Sequence, residues 1–174
     1  MKKDRFFRLV ILIAVILIVF ATLGITLWKL RFAGKLNIQM PAPEFCLRAL
    51  NGKEYDKNVF YGKKLVLLYL RSSCPYCIKE FNNTVKLSLI YDPMKIQFVA
   101  VIDKFKKPFD NRILVLIDSE NMFKKSYHIT FTPAAFLIDE NGFLRAYRNG
   151  YFGYKSDSLW ISKFIDRKEA NNKP

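Results

Sequence analysis

Leu65-Val66-Leu67-Leu68-Tyr69-Leu70-Arg71-Ser72-Ser73-Cys74-Pro75-Tyr76-Cys77 is the stretch that decides the fold. Its first six residues form a continuous apolar run of strand length, which reads as a central strand buried on both faces. Pro75 suits the first turn of a helix, where its missing N–H has no partner to lose and its φ is already helical. Ile78, Phe81, Val85 and Leu89 follow at spacings of three and four. The pattern predicts a helix with one apolar face that stops before Asp92-Pro93. A buried strand thus delivers the chain to a cysteine at a helix start.

Downstream, residues 96–102 predict a second inner strand and 113–117 a third, separated by a polar, lysine-rich loop containing Pro108. Asp118-Ser119 offers an N-cap for a short helix reaching about Tyr127. Residues 134–138, the turn Asp139-Glu140-Asn141-Gly142 and residues 143–147 read as a β-hairpin. Residues 156–167, with Leu159, Trp160, Lys163 and Phe164, read as a closing amphipathic helix. Upstream, Phe45, Leu47 and Ala49 alternate ahead of Asn51-Gly52, which predicts a strand and a hairpin turn with Cys46 facing away from Phe45 and Leu47. Strands alternating with helices imply a layered α/β sheet.

From Leu9 to Trp28 the chain carries no charge. Twenty such residues span about 30 Å as a helix, the thickness of a bilayer's hydrocarbon core. The expected organisation is a basic N-terminal tail (1–8), a transmembrane anchor (9–30), a tether (31–40), one globular domain (41–168) and a disordered tail (169–174). A cleaved signal peptide is the rival, but cleavable apolar cores are shorter and end in a small-x-small site. Here the segment meets only Phe32-Ala33-Gly34 beyond two cations. Lys2, Lys3, Arg5 and Arg8 before the span are nearly matched by Lys29, Arg31 and Lys35 after it, but a short basic N-terminus stays inside as a rule, so a single-pass protein of a bacterial cell membrane, with its domain on the extracytoplasmic side, is expected.

The formal charge is +14, of which Lys2, Lys3, Arg5, Arg8, Lys29 and Arg31 against Asp4 supply +5. The excess on the remainder suits a domain beside an anionic lipid bilayer. Lysines scattered through loops, such as Lys104, Lys106 and Lys107, argue against a nucleic-acid partner. Three cysteines and one histidine, with no second Cys-x-x-Cys pair, argue against a zinc site or a disulfide scaffold. No metal and no cofactor are expected.

The cysteine pair therefore points to redox exchange. At a helix start, unpaired N–H groups and the positive end of the peptide dipoles favour an anion, so Cys74 is placed to attack as a thiolate. Cys77, one turn on, is placed to reach back and resolve a mixed disulfide. Pro75 stiffens the turn between them, and Tyr76 supplies a ring and a hydroxyl.

With these residues in this order, the chain resembles the thioredoxin superfamily, in its membrane-anchored TlpA/ResA-like branch. Pro41-Ala-Pro-Glu-Phe45, Asn51-Gly-Lys53, Gly62-Lys-Lys-Leu-Val66, Cys74-Pro-Tyr-Cys77, Thr132-Pro133 and Phe136-Leu-Ile-Asp-Glu-Asn-Gly142 carry the resemblance. It implies a thioredoxin-like fold, a central mixed sheet flanked by helices with extra N-terminal strands. It also implies a redox-active Cys74–Cys77 disulfide, with Cys74 as nucleophile and Cys77 as resolver. Pro133 is implied to be in cis, an arrangement that lets the Thr132 backbone pair with a bound polypeptide beside the cysteines. Thr132, Pro133, Pro75 and Tyr76 are the expected substrate contacts.

Glu80 matches a glutamate that the branch carries near its site, and reads either as a partly buried carboxylate that tunes the cysteines or moves a proton, or as a solvated helix-face residue. The partners implied are protein thiols and disulfides, such as those of apocytochrome c or other envelope proteins, and a membrane thiol:disulfide electron donor, with the chain itself a monomer.

Three features depart from the branch. Ser73 stands where a tryptophan is usual, the stretch between Ile102 and Ile113 is short for the helix expected there, and Cys46 has no counterpart. Cys46 reads as a small buried hydrophobe, with a third redox thiol as the alternative. His128 reads as local packing rather than a metal ligand. Two rival functions are a peroxiredoxin-like thiol peroxidase, since Pro41-Ala-Pro-Glu-Phe45 is shared with that group, and a non-enzymatic anchored binding or assembly module. The peroxidase reading lacks the Pro-x-x-x-Thr/Ser-x-x-Cys pattern around either cysteine.

Overall fold

The computed structural model describes residues 8, 11–24, 36–106, 109 and 111–166. The chain divides into two units, 1–36 and 37–174. In the first, residues 11–24 form helix α1, with apolar side chains exposed all round. At 1.5 Å per residue α1 is about 21 Å long, and no helix among the described residues is long and apolar enough to cross a membrane. The remainder of the expected span, residues 9–10 and 25–30, lies outside the described residues, as do most of the expected tether and the tail 169–174.

The second unit is built on seven strands: β1 (Cys46–Ala49), β2 (Glu54–Asp56), β3 (Lys64–Leu70), β4 (Ile96–Ile102), β5 (Leu114–Ile117), β6 (Ala134–Ile138) and β7 (Leu144–Asn149). They form one mixed sheet in the order β2-β1-β5-β4-β3-β6-β7. β3 runs parallel to β4, and β4 to β5, while β6 is antiparallel to β3 and β7 to β6. The expected N-terminal hairpin is β1 and β2, and β1 joins the sheet on β5. Pairing begins before Pro41, since the Gln39 N–H donates to the Leu144 carbonyl at 2.7 Å.

β3 lies between two neighbours, and Leu65 to Leu70 are all buried, as a continuous apolar run requires. On one face Val66, Leu68 and Leu70 pack with Phe98, Ala100 and Ile102 under helix α2 (Pro75–Ser88), which contributes Cys77, Phe81, Val85 and Leu87. Phe81 meets the ring of Phe109 edge-on at 5.2 Å. Burying one such side chain contributes about 1.5–3 kcal/mol. The other face holds an aromatic cluster in which Phe123 stacks on Tyr69 and Tyr127 and meets Phe45 edge-on. The Tyr127 hydroxyl donates to the Pro43 carbonyl at 3.0 Å, tying the start of the domain to this cluster.

Several expectations are corrected. Leu89 is 82% exposed, because α2 ends at Ser88 and Leu87 takes the inward position. Helix α3 is only Met122–Ser126, because Asn121 adopts a left-handed conformation. Asp118 nevertheless caps it from upstream, accepting the N–H groups of Phe123 and Lys124 at 3.0 Å each. Helix α4 (Tyr154–Asp166) turns Asp157 and Ile161 inward, leaving Leu159 exposed. Cys46 is exposed rather than a core residue: strand alternation sends Leu47 and Ala49 inward and Cys46 outward. His128 is exposed, with φ +48° at the end of α3. Between β4 and β5 the expected loop is found, with no helix among the described residues.

Candidate active site

β3 ends in a loop held from its neighbour. The Ser72 N–H donates to Asp103 Oδ1 at 2.8 Å, and Asp103 directly follows β4. This contact fixes the turn that presents Cys74.

Cys74 is the N-cap of α2, in an extended conformation, and its sulfur accepts the N–H of Cys77 at 3.3 Å. The Cys74 thiol also lies 3.9 Å from the Thr132 carbonyl, toward which it donates. Cys74 is half-buried, whereas Cys77 is fully buried in the core beneath α2. Cys77 Sγ accepts the Arg71 N–H at 3.4 Å. Burial, and then the hydrogen bond to Cys74, push the Cys77 thiol up to about 12. The pair is therefore asymmetric: one sulfur is reachable at a helix start, and the other stays protonated near neutral pH. Both are free thiols.

Thr132-Pro133 is a cis peptide bond. β6, which starts at the next residue, pairs with β3 in the register Tyr69↔Ala134, so the top of β3 and Thr132 are brought together. Pro133 is buried, Thr132 half-buried, and the preceding Phe131 is exposed. Pro75 and Tyr76 are exposed on the first turn of α2. The Tyr76 ring lies 5.6 Å from that of Tyr151, and the Lys79 ammonium sits over it.

Glu80 is buried, on the same face of α2 as Cys77, so it is not a solvated helix-face residue. Its Oε1 lies 3.9 Å from an Arg148 guanidinium nitrogen that also contacts Asp157 directly. Burial, and then the nearby Asp157 carboxylate, push Glu80 up to about 7 against the pull of Arg148. Of the residues around the site, Asp103, Arg148, Asp157 and Tyr151 carry no local motif. The parallel register Leu70↔Ile102 alone would have placed Asp103 beside the loop.

Among the described residues no group of three or more His, Cys, Asp or Glu side chains could hold a metal ion. Cys46 lies away from the site, lining a cleft with Arg48, Glu54, Asp118 and Met122 at the β1–β5 side of the sheet.

The Redoxin family matches residues 38–158, the whole of this arrangement from the first paired residues into α4. The chain belongs to the Redoxin family.

Relatives of this Redoxin-family chain agree on the chemistry. Thiol-disulfide oxidoreductase ResA of Bacillus cereus (strain ATCC 10987 / NRS 248) is 31% identical over 153 residues, covering 82% of this chain and 86% of its own. The ResA of Geobacillus kaustophilus (strain HTA426) is 29% identical over 152 residues with the same coverages. Among solved structures, the thiol:disulfide interchange protein of the thioredoxin family from Chlorobium tepidum TLS superposes with a TM-score of 0.62 at 17% identity, covering 75% of this chain and 99% of that one. The last likeness concerns the fold alone. Together these place the chain in the TlpA/ResA-like branch of the thioredoxin superfamily, as a thioredoxin-like thiol-disulfide oxidoreductase.

Proposed function

We propose that the chain is a membrane-anchored, extracytoplasmic thiol:disulfide oxidoreductase of a bacterial cell, which reduces protein disulfides through Cys74 and Cys77. The observation that carries this reading is the asymmetry of the pair: a half-buried Cys74 sulfur facing a helix-start N–H and the Thr132 carbonyl, with a fully buried Cys77 one turn behind.

In the reduction, the Cys74 thiolate attacks one sulfur of a substrate disulfide; a new S–S bond forms and the other substrate sulfur leaves as a thiolate. Cys77 must then lose its proton, which at neutral pH needs an acceptor because its thiol is pushed up to about 12. The Glu80 carboxylate, on the same helix face, is assigned that role. Cys77 attacks Cys74 Sγ, the mixed disulfide breaks, and the remaining substrate sulfur departs. Two electrons pass from the dithiol to the substrate, and the Cys74–Cys77 disulfide closes. Glu80 returns its proton to the departing thiolate or to solvent.

Thr132, next to the cis Pro133, offers backbone groups to an extended substrate segment beside Cys74, and Pro75 and Tyr76 flank it. The resemblance to the TlpA/ResA-like branch implies envelope proteins as substrates, apocytochrome c among them, and a membrane thiol:disulfide carrier as electron donor. Residues 9–30 act as the single-pass anchor and the domain acts as a monomer beside the lipid bilayer. The absence of charge from Leu9 to Trp28 supports the anchor.

A Cys77→Ser full chain, expressed in its host envelope, tests the reading. It should accumulate a disulfide adduct through Cys74 with a thiol protein, and should stay in the membrane fraction after alkaline carbonate extraction. Full function of a Cys74→Ala, Cys77→Ala variant in a deletion strain would overturn the redox reading in favour of a binding or assembly module. Peroxide consumption indifferent to loss of Cys77 would favour the peroxidase.

A further inference from the structure

Two carboxyl groups share one guanidinium inside this domain. Glu80 is 3% and Asp157 2% exposed. Arg148, reaching in from β7, lies between the rings of Phe152 and Trp160, 4.7 and 4.1 Å from their centroids. Those rings strip water from the cation and leave its charge to the two acids. One Arg148 nitrogen serves both: it contacts Asp157 Oδ1 directly and stands 3.9 Å from Glu80 Oε1. Glu80 Oε2 and Asp157 Oδ2 are buried without a hydrogen-bond partner.

With all three ionised, the cluster would carry an unbalanced negative charge away from water, which is costly. One proton makes it neutral. Because the guanidinium is committed to Asp157, the proton belongs on Glu80. The other surroundings do not compete. Strands β3 and β4 turn apolar residues toward α2, Cys77 is the other buried titratable group of that helix, and the Asn83 side chain favours the charged form of Asp157.

We propose that Arg148 and Asp157 are positioning residues that set the proton affinity of Glu80, so that the three side chains together take up and release a single proton, a one-proton store one helical turn behind Cys77 that is empty when Cys77 must be deprotonated. This rests on the reading of Glu80 as the proton acceptor for Cys77. Burial first, and then Asp157, push Glu80 up to about 7 while Arg148 pulls it down, the signs that the geometry requires. Removing Asp157's charge lowers Glu80's proton affinity, and removing Arg148's charge raises it.

The test is the pH profile of the release step, measured in single turnover on the full chain in mild detergent with a preformed mixed disulfide at Cys74. Asp157→Asn should move the acid-side midpoint down by about one pH unit, and Arg148→Gln should move it up by about one. Arg148→Lys, which keeps the cation, should bring it back toward the unsubstituted value. Midpoints that stay put in both Asp157→Asn and Arg148→Gln, with rates lowered equally at every pH, would mean that the pair is merely structural and would overturn the proposal.

Glu80→Gln separates the proton store from the acceptor role of Glu80 itself. If it abolishes the acid limb while the other variants leave the midpoint alone, only the one-proton store fails. If it leaves the limb intact, the Glu80 assignment itself fails. Should a variant not fold, carboxyl carbon-13 titration of the unsubstituted full chain decides. Glu80 and Asp157 should titrate as a coupled pair, and an independent Glu80 step in the ordinary carboxylate range would refute the store.

Discussion

The Cys77 N–H donates to the Cys74 sulfur at 3.3 Å, across the first turn of α2. The contact joins a half-buried sulfur to the backbone of a residue whose own sulfur is fully buried. Alkylation should read that difference directly. In the reduced native chain, iodoacetamide should modify Cys46 and Cys74 first, with Cys77 slower by about 100-fold, since reaction needs an accessible thiolate. Peptide mass spectrometry over time checks this, and equal labelling of Cys74 and Cys77 would contradict the site geometry.

Stability should depend on pH through Glu80. Its carboxyl is raised from 4.5 to about 7, so the folded chain binds that proton more tightly than the unfolded chain. The contribution is fully present below pH 4.5 and is lost as pH rises through about 7. The expected loss between pH 5 and 8 is about 2 kcal/mol in urea unfolding. Glu80→Gln should remove most of that slope, and Asp157, raised chiefly by burial, should leave a residue of the same sign. A slope unchanged in Glu80→Gln would assign it elsewhere.

Asp118 carries the start of α3 from outside the helix, accepting two N–H groups while almost wholly buried. Asp118→Ala leaves both donors unmatched and should cost about 2 kcal/mol. Asp118→Asn, which keeps one acceptor oxygen, should cost less. Equal losses in the two variants would mean that packing, rather than the cap, sets the effect.

Gly142 closes the β6–β7 turn at φ +79°, and a Cβ there would lie 2.5 Å from Tyr61 Cε1. Gly142→Ala should therefore cost about 2 kcal/mol, from a left-handed backbone and a clash together. Adding Tyr61→Ala, at a ring already half exposed, should recover the clash and leave about 1 kcal/mol for the backbone. Additive losses in the double variant would show that the ring simply moves aside.

How much was legible varies with the range of the interaction. The strand at Leu65–Leu70, the helix opened by Pro75 and the hairpin around Gly142 are visible because period and turn chemistry lie within a few residues. Leu89 and Leu159 are exposed despite fitting the helical period, because a periodic pattern does not say where a helix stops or how it is rotated on its sheet. For Cys46, residue type favours burial while the alternation of its own strand faces it outward, and the alternation wins.

The Cys74-Pro-Tyr-Cys77 motif, its position between a buried strand and a helix, and the proline after Thr132 are legible without coordinates, since each is written in adjacent residues. The electrostatics of the site arise from packing between elements distant in the chain. Glu80 could have faced water or core; packing α4 over α2 buried it, and β7 brought Arg148 to stand between it and Asp157. A buried carboxyl answers to desolvation and to charges arriving from other elements, and neither is a property of the residues beside it in the chain.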